Sequence, residues 1–294
     1  MVFDIRKTSL YAESWNVAYR NKKSGSILDD SFAEFIIIEN SWRYWAADPF
    51  IYELNGKVYI FAELYDYMLR RGVIGVCELI DNKCTKWKPI IVEKHHLSYP
   101  CIVEYNGKQY IMPESGAAKE LVLYEAIDFP NLWKKSEIIR ENVCYADTTP
   151  LDTNGLAITH DVKNPYHPEL IVIDLFNKSI TKKAPMISEL KSRPAGKSFY
   201  LNSENYRPVQ VSNDFETGYG KGLLITKWEI DDAFCFSEDI VKEIKPMDLK
   251  YSRPIFLDGM HTYNSSENYE VIDIKTRRFN MINLIFRILN KFIK

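Results

Sequence analysis

The sequence predicts an all-β chain: a five-bladed β-propeller followed by a C-terminal amphipathic helix. Three observations carry this. A hairpin motif recurs five times along the chain, β-forming Ile, Val and Tyr are plentiful, and near the C-terminus the apolar pattern changes to steps of three and four. The first copy is Asp48-Pro-Phe-Ile-Tyr-Glu-Leu-Asn-Gly-Lys-Val-Tyr-Ile-Phe-Ala-Glu63. The second is Tyr99-Pro-Cys-Ile-Val-Glu-Tyr-Asn-Gly-Lys-Gln-Tyr-Ile-Met-Pro-Glu114, aligned without a gap. In each, an apolar alternating strand meets Asn-Gly, the pair that favours a type I′ turn, and returns as a second strand. Weaker copies begin at Asp147, Arg193 and His261, so the blades are expected to start near 48, 99, 147, 193 and 261. Further short strands, Gly72–Leu79, Leu121–Glu125 and Leu170–Asp174, fall between the hairpins and bring each unit towards four strands, the content of a propeller blade. A β-sandwich with coincidental hairpins is the competing arrangement.

Residues 1–274 are assigned to the propeller and 275–294 to the helix. From Arg277 the chain reads RRFNMINLIFRILNKFIK, with polar residues at 280, 283, 287, 290, 291 and 294. The last twenty residues hold six Lys/Arg and no Asp/Glu, whereas the preceding 274 carry a net charge of −8. A basic polar face opposite a wide apolar one predicts an in-plane anchor on an anionic membrane surface. Packing against the propeller, or a dimer contact, is the plainer alternative. Confinement of positive charge to this tail argues against a nucleic-acid partner. The first twenty residues lack a basic stretch followed by an apolar one, so no secretory signal is expected and the protein is placed in the cytoplasm, peripheral on the inner face of the cell membrane. Five scattered cysteines are read as buried free thiols. Phosphate-binding glycine loops, a serine-nucleophile elbow and zinc-ligand spacings are all absent.

In a propeller the first strand of each blade lines the central channel, so Asp48, Tyr99, Asp147, Arg193 and His261 should converge on one mouth. Unpaired charges there are costly unless they face water, one another or a ligand. Glu63 and Glu114 close the first two hairpins and either face this mouth or pair between blades. Arg207 and Gln210 lie one hairpin after Arg193 and add donors. Trp42, Tyr44, Trp45, Tyr99 and Tyr145 sit at or before these positions, and flat aromatic faces suit sugar rings. His95 and His96 read as a surface turn.

The set Trp45-Ala-Ala-Asp-Pro-Phe, Leu97-Ser-Tyr-Pro, Met112-Pro-Glu-Ser, Asp128-Phe-Pro-Asn-Leu-Trp, Tyr145-Ala-Asp-Thr-Thr, Arg193-Pro-Ala-Gly and Gly259-Met-His-Thr-Tyr-Asn is distinctive. From about Trp42 to Asp273 it resembles the domain at the N-terminus of plant glucosamine inositolphosphorylceramide transferase, also found in bacterial envelope-polysaccharide loci. That domain is similar in turn to the propellers of arabinanases, xylosidases and fructosidases. The resemblance implies Asp48 and Asp147 as catalytic carboxylates and a glutamate as acid, Glu114 first and Glu63 behind it. Trp45, Glu63, Tyr99, Tyr145, Arg193, Arg207, Gln210 and His261 would then bind substrate. It also implies that the channel histidine can hold a metal, so a divalent cation is possible there and no other cofactor is expected.

Three functions follow from this reading. The first is a membrane-associated glycosyltransferase of surface-polysaccharide synthesis, such as capsule or O-antigen, using a nucleotide-sugar donor and a glycan or lipid-linked acceptor. The second is a glycoside hydrolase acting on furanosides or similar glycans, and the third a non-catalytic glycan-binding module.

Overall fold

The computed structural model describes residues 11–29, 33–152, 155–161, 169–174, 177, 179–185, 193–211, 220–231, 235–279 and 285. Strands β1 (Tyr11–Asn21) and β2 (Ile36–Ile37) precede the first repeat. Blade one is β3 (Tyr44–Leu54), β4 (Lys57–Asp66), β5 (Arg71–Ile80) and β6 (Lys83–Cys84), with β7 (Lys88–Ile91) also paired to β5. Blade two is β8 (Ser98–Tyr105), β9 (Lys108–Glu114), β10 (Glu120–Asp128) and β11 (Leu132–Glu141). Blade three is β12 (Tyr145–Pro150), β13 (Leu156–Asp161), β14 (Glu169–Asp174) and β15 (Ser179–Pro185). Blade four is β16 (Phe199–Leu201), β17 (Glu204–Gln210), β18 (Leu223–Ile230) and β19 (Phe236–Ile244). The last sheet combines both ends of the described chain, in the order β2, β1, β21 (Tyr269–Phe279), β20 (Tyr263–Ser265). The protein is a five-bladed β-propeller closed by its N-terminal strand.

That closure is antiparallel over the full length of both strands, from Tyr11 opposite Phe279 to Asn21 opposite Tyr269. Val17, Ala18, Val271, Ile272 and Ile274 are wholly buried along it. A buried ion pair pins its lower end: Arg20 Nε donates to Glu270 Oε2 at 2.7 Å, and Glu270 Oε1 accepts from Ile27 N and the Tyr263 hydroxyl. Because both oxygens are occupied, the carboxylate is buried without an orphaned lone pair.

The pairing also corrects the expected C-terminal helix. Lys275–Phe279, its first residues by sequence, are the end of β21. Their partner is β1, more than 250 residues away, so local periodicity could not reveal the competition. No helix of seven or more residues occurs among the described residues, and 280–284 and 286–294 lie outside them. No helix among the described residues is long and apolar enough to cross a membrane. The anchoring of the protein to an anionic membrane through such a helix falls with it.

The Asn-Gly turns form as the residues dictate. Asn55 and Gly56 have φ of 52° and 73°, and Asn106 and Gly107 have 50° and 72°. Asparagine and glycine are the residues that tolerate this left-handed pair of a type I′ turn. Blade four uses Asn202 and Ser203 (49° and 66°) for the same turn. Apolar clusters lie between blades: one joins Phe50, Phe61, Ile102, Ile111, Val122 and Ile171, another Ala18, Leu223, Ile225 and Ile272. Of the five cysteines only Cys77 and Cys101 are buried, and Cys235 is exposed, so the all-buried expectation does not hold.

Candidate active site

Three non-glycine residues at equivalent blade positions share an unusual backbone. Asp48, Tyr99 and Asp147 have φ of 50°, 47° and 50°. Each sits in a register shift of its innermost hairpin: Ala47/Phe50, Ser98/Cys101 and Ala146/Thr149. A left-handed residue costs roughly 1–3 kcal/mol and persists where surrounding bonds over-determine it. Here two of the three amides donate from blade to blade. Asp48 N donates to Asp273 Oδ2 at 3.2 Å, and Tyr99 N donates to Asp48 Oδ2 at 3.3 Å. The Tyr99 hydroxyl then meets Thr149 Oγ1 at 2.8 Å. Blades five, one, two and three are thereby tied in sequence around the channel.

Two polar groups are built on this frame. The first centres on Asp273, which is fully buried. Its Oδ1 accepts from His261 N and Thr262 N at 2.9 and 3.0 Å, and its Oδ2 lies 2.6 Å from His261 Nδ1. Thr262 Oγ1 donates to Asp48 Oδ1 at 2.8 Å. Trp15 stacks on the His261 ring at 4.1 Å. Burial is the main influence on the Asp48 carboxyl; with Asp273 and Asp147 it outweighs His261 and brings the pKa to about 6. For His261, burial acts downward, but the Asp273 and Asp48 carboxylates outweigh it and the net shift is upward.

The second group centres on Arg193. Its Nε donates to Asp147 Oδ2 at 2.7 Å and its Nη2 lies 3.5 Å from Glu114 Oε2. Gln210 Nε2 donates to the same Asp147 oxygen at 3.3 Å and to Pro194 O at 3.2 Å. Burial and then the neighbouring Asp147 raise the Glu114 carboxyl to about 8, against the opposing pull of Arg193. Glu63 lies on β4 opposite Ala47, one residue before Asp48. Its Oε1 is buried without a hydrogen bond, and burial, Asp48 and Glu114 push its pKa well above the usual carboxylate range. Gly72 makes room for it: a Cβ there would stand 2.5 Å from Glu63 Oε1.

Asp48, His261 and Asp273 offer ligand atoms within 4.8 Å of one another, a set that can hold a divalent cation. One imidazole nitrogen with carboxylate oxygens suits such an ion. The cation would have to take the place of the proton between His261 Nδ1 and Asp273 Oδ2.

Residues 36–156 match the family model described as "Glucosamine inositolphosphorylceramide transferase 1, N-terminal". Over those residues the chain is similar to that N-terminal domain. It is 29% identical over 245 residues to "Glucosamine inositolphosphorylceramide transferase 1" of Arabidopsis thaliana, covering 78% of this chain and 30% of that protein. The protein of the same name from Oryza sativa subsp. indica is 28% identical over 200 residues, covering 63% of this chain and 26% of its own length. The chain thus spans less than a third of these curated relatives. Among solved structures it is similar to the catalytic domain of the Coprinopsis cinerea GH62 α-L-arabinofuranosidase, with TM-score 0.57, 9% identity and coverage of 77% and 79%. It is also similar to a β-xylosidase (0.54, 11%, covering 79% and 92%) and a family 117 glycoside hydrolase from Zobellia galactanivorans (0.53, 12%, covering 90% and 91%). These likenesses show the shared propeller fold.

The structure sorts the residues expected from sequence. Asp48, Glu63, Tyr99, Glu114, Asp147, Arg193, Gln210 and His261 come together around the channel. Arg207 does not: it is 2% exposed and makes a bidentate pair with Glu238 inside blade four, at 2.7 and 2.9 Å. Tyr99 and Tyr145 are buried in the core, and Tyr99 packs edge-on to Phe50, so neither offers an open face. Trp45 is half-buried and stacked on Tyr65 at 4.9 Å.

Sequence reasoning missed Asp273, Thr262, Trp15, His96 and His160. His96 is no mere surface turn: its Nδ1 accepts from Gly72 N at 2.9 Å, leaving Nε2 to face Glu63 Oε1 at 3.4 Å. His160 stands opposite Ala146, one residue before Asp147. Burial, then Arg193, lowers its pKa to about 4. The acidic residues that close the first two hairpins, Glu63 and Glu114, were the available signal for Asp273.

Proposed function

We propose that the chain is a carbohydrate-active enzyme, and specifically a glycoside hydrolase acting on furanosides or similar glycans. The observation that carries this is the pair of carboxyl groups tuned apart on one channel: Glu114 near 8 and Asp48 near 6. At neutral pH the first is mostly protonated and the second mostly ionised, which is what acid and base need. In the proposed reaction Glu114 gives its proton to the glycosidic oxygen as the bond to the anomeric carbon breaks. Asp48 takes a proton from, or itself attacks in place of, the water that completes the new bond at that carbon. Arg193, tied to Asp147, steadies Glu114, and the Trp45–Tyr65 face lies along the same strands to receive a sugar ring.

The solved structures named above are glycosidases, which supports hydrolysis. The relatives' name supports transfer, but it belongs to proteins more than three times as long as the matched segment. Release of reducing ends from arabino- and xylo-oligosaccharides is the test. We expect turnover that falls about 100-fold to 10,000-fold in Asp48→Asn and Glu114→Gln. Turnover seen only with an activated sugar donor would replace hydrolysis by transfer. Undiminished turnover in both folded variants would dismiss these two residues.

A further inference from the structure

A cavity of about 260 Å³ lies apart from the channel carboxylates. Val103 and Met112 of blade two, Leu151 and Ile173 of blade three, and Lys197 and Ser198 before blade four line it. Val103 follows Tyr99 on β8, and Leu151, just past the end of β12, follows Asp147, each by about 13 Å at the rise of a β-strand, so the cavity lies away from the carboxylates. Its walls are mainly apolar, and it exceeds the roughly 150 Å³ that accepts benzene in an engineered apolar cavity.

Lys197 is the feature that apolar packing does not explain. Its backbone is fixed: the Lys197 amide donates to Asn264 Oδ1 at 2.7 Å, and at neighbouring Gly196 (φ 140°) a Cβ would meet Tyr263 O at 1.8 Å. Lys197 is partly buried, and its ammonium has no hydrogen bond or ion pair among the described residues, although a lysine in such a place normally finds an acid. Burial pulls its pKa below the usual lysine range, and the nearby Cys101 thiol offsets this in part. Glu104 and Asp152 also line the cavity, but both are exposed. Glu104 accepts from the Tyr52 hydroxyl and Asp152 from Leu156 N. Their charge is screened by water more fully than that of Lys197, which is only partly exposed.

We propose that this cavity is a second ligand site for a small organic anion with an apolar body, the anionic group on Lys197 Nζ and the body among Val103, Met112, Leu151 and Ile173. A bound anion would give Lys197 the partner it lacks, in surroundings where a charged hydrogen bond is strong. The proposal does not rest on the hydrolase reading, since none of these residues belongs to the acid–base pair.

Calorimetric titration of the full chain with 3-phenylpropionate and 3-phenylpropanol tests it, because the two share a body and differ in charge. We expect the acid to bind at least about tenfold tighter than the alcohol. Lys197→Met should abolish that preference while still binding the alcohol, and Leu151→Trp should weaken both ligands by filling the cavity. Equal affinity for acid and alcohol, absence of binding, or undiminished acid binding in either variant would overturn the proposal. Should Lys197→Met fail to fold, the wild-type preference and Leu151→Trp decide alone.

Discussion

Glu114 shows how a single residue is set for chemistry at the expense of stability. Its carboxyl is raised from 4.5 to about 8 by burial and Asp147, so the folded chain holds a proton that the unfolded chain releases. The folded state therefore loses stability as pH rises from about 4.5 to about 8, and the loss is complete above that. Glu114→Gln removes this penalty. We predict a melting temperature raised by roughly 5 °C at pH 9 and little changed at pH 4, read by calorimetry at both values. An equal change at both pH values would mean that the shift is not the cause. The same titration predicts that wild-type turnover falls as pH rises through about 8, a limb absent from the residual rate of Glu114→Gln.

At the scale of elements, the site depends on blade five meeting blade one. Asp273 receives four donors: three backbone N–H groups and His261 Nδ1. Asp273→Ala would strand them in a dry interior, and we predict a loss of about 3–5 kcal/mol in urea unfolding. A loss under about 1 kcal/mol would show that the network is not what holds Asp48 in its left-handed conformation. The closing strand is equally exposed to test. β1 buries Trp15, Val17, Ala18 and Tyr19, each large side chain contributing about 1.5–3 kcal/mol. Deletion of residues 1–21 should abolish the cooperative transition seen by circular dichroism; an unchanged midpoint would refute the ring closure. These two features mark what the sequence hid. Asp48, Tyr99 and Asp147 were legible because a repeat aligned them, and Asn-Gly fixed the turns that follow the first two. Asp273 and β1 were not, because both act through partners at the other end of the chain. The C-terminal helix failed for the same reason, since Lys275–Phe279 answer to β1 rather than to their own periodicity. Arg207 was misplaced because Glu238, on a strand two further out in the same blade, claims it.

For the whole molecule, the propeller brings carboxyl groups from blades one, two and three around one channel while leaving blades one to four to fold as local meanders. The central claim is that Glu114 donates the proton to the departing sugar oxygen. Leaving-group dependence tests this most directly, using aryl glycosides whose phenols range from weakly to strongly acidic. Glu114→Gln should lose about 100-fold or more on the weakly acidic phenol and much less on the strongly acidic one, which departs unaided. An equal loss across the series, with the variant folded, would contradict it.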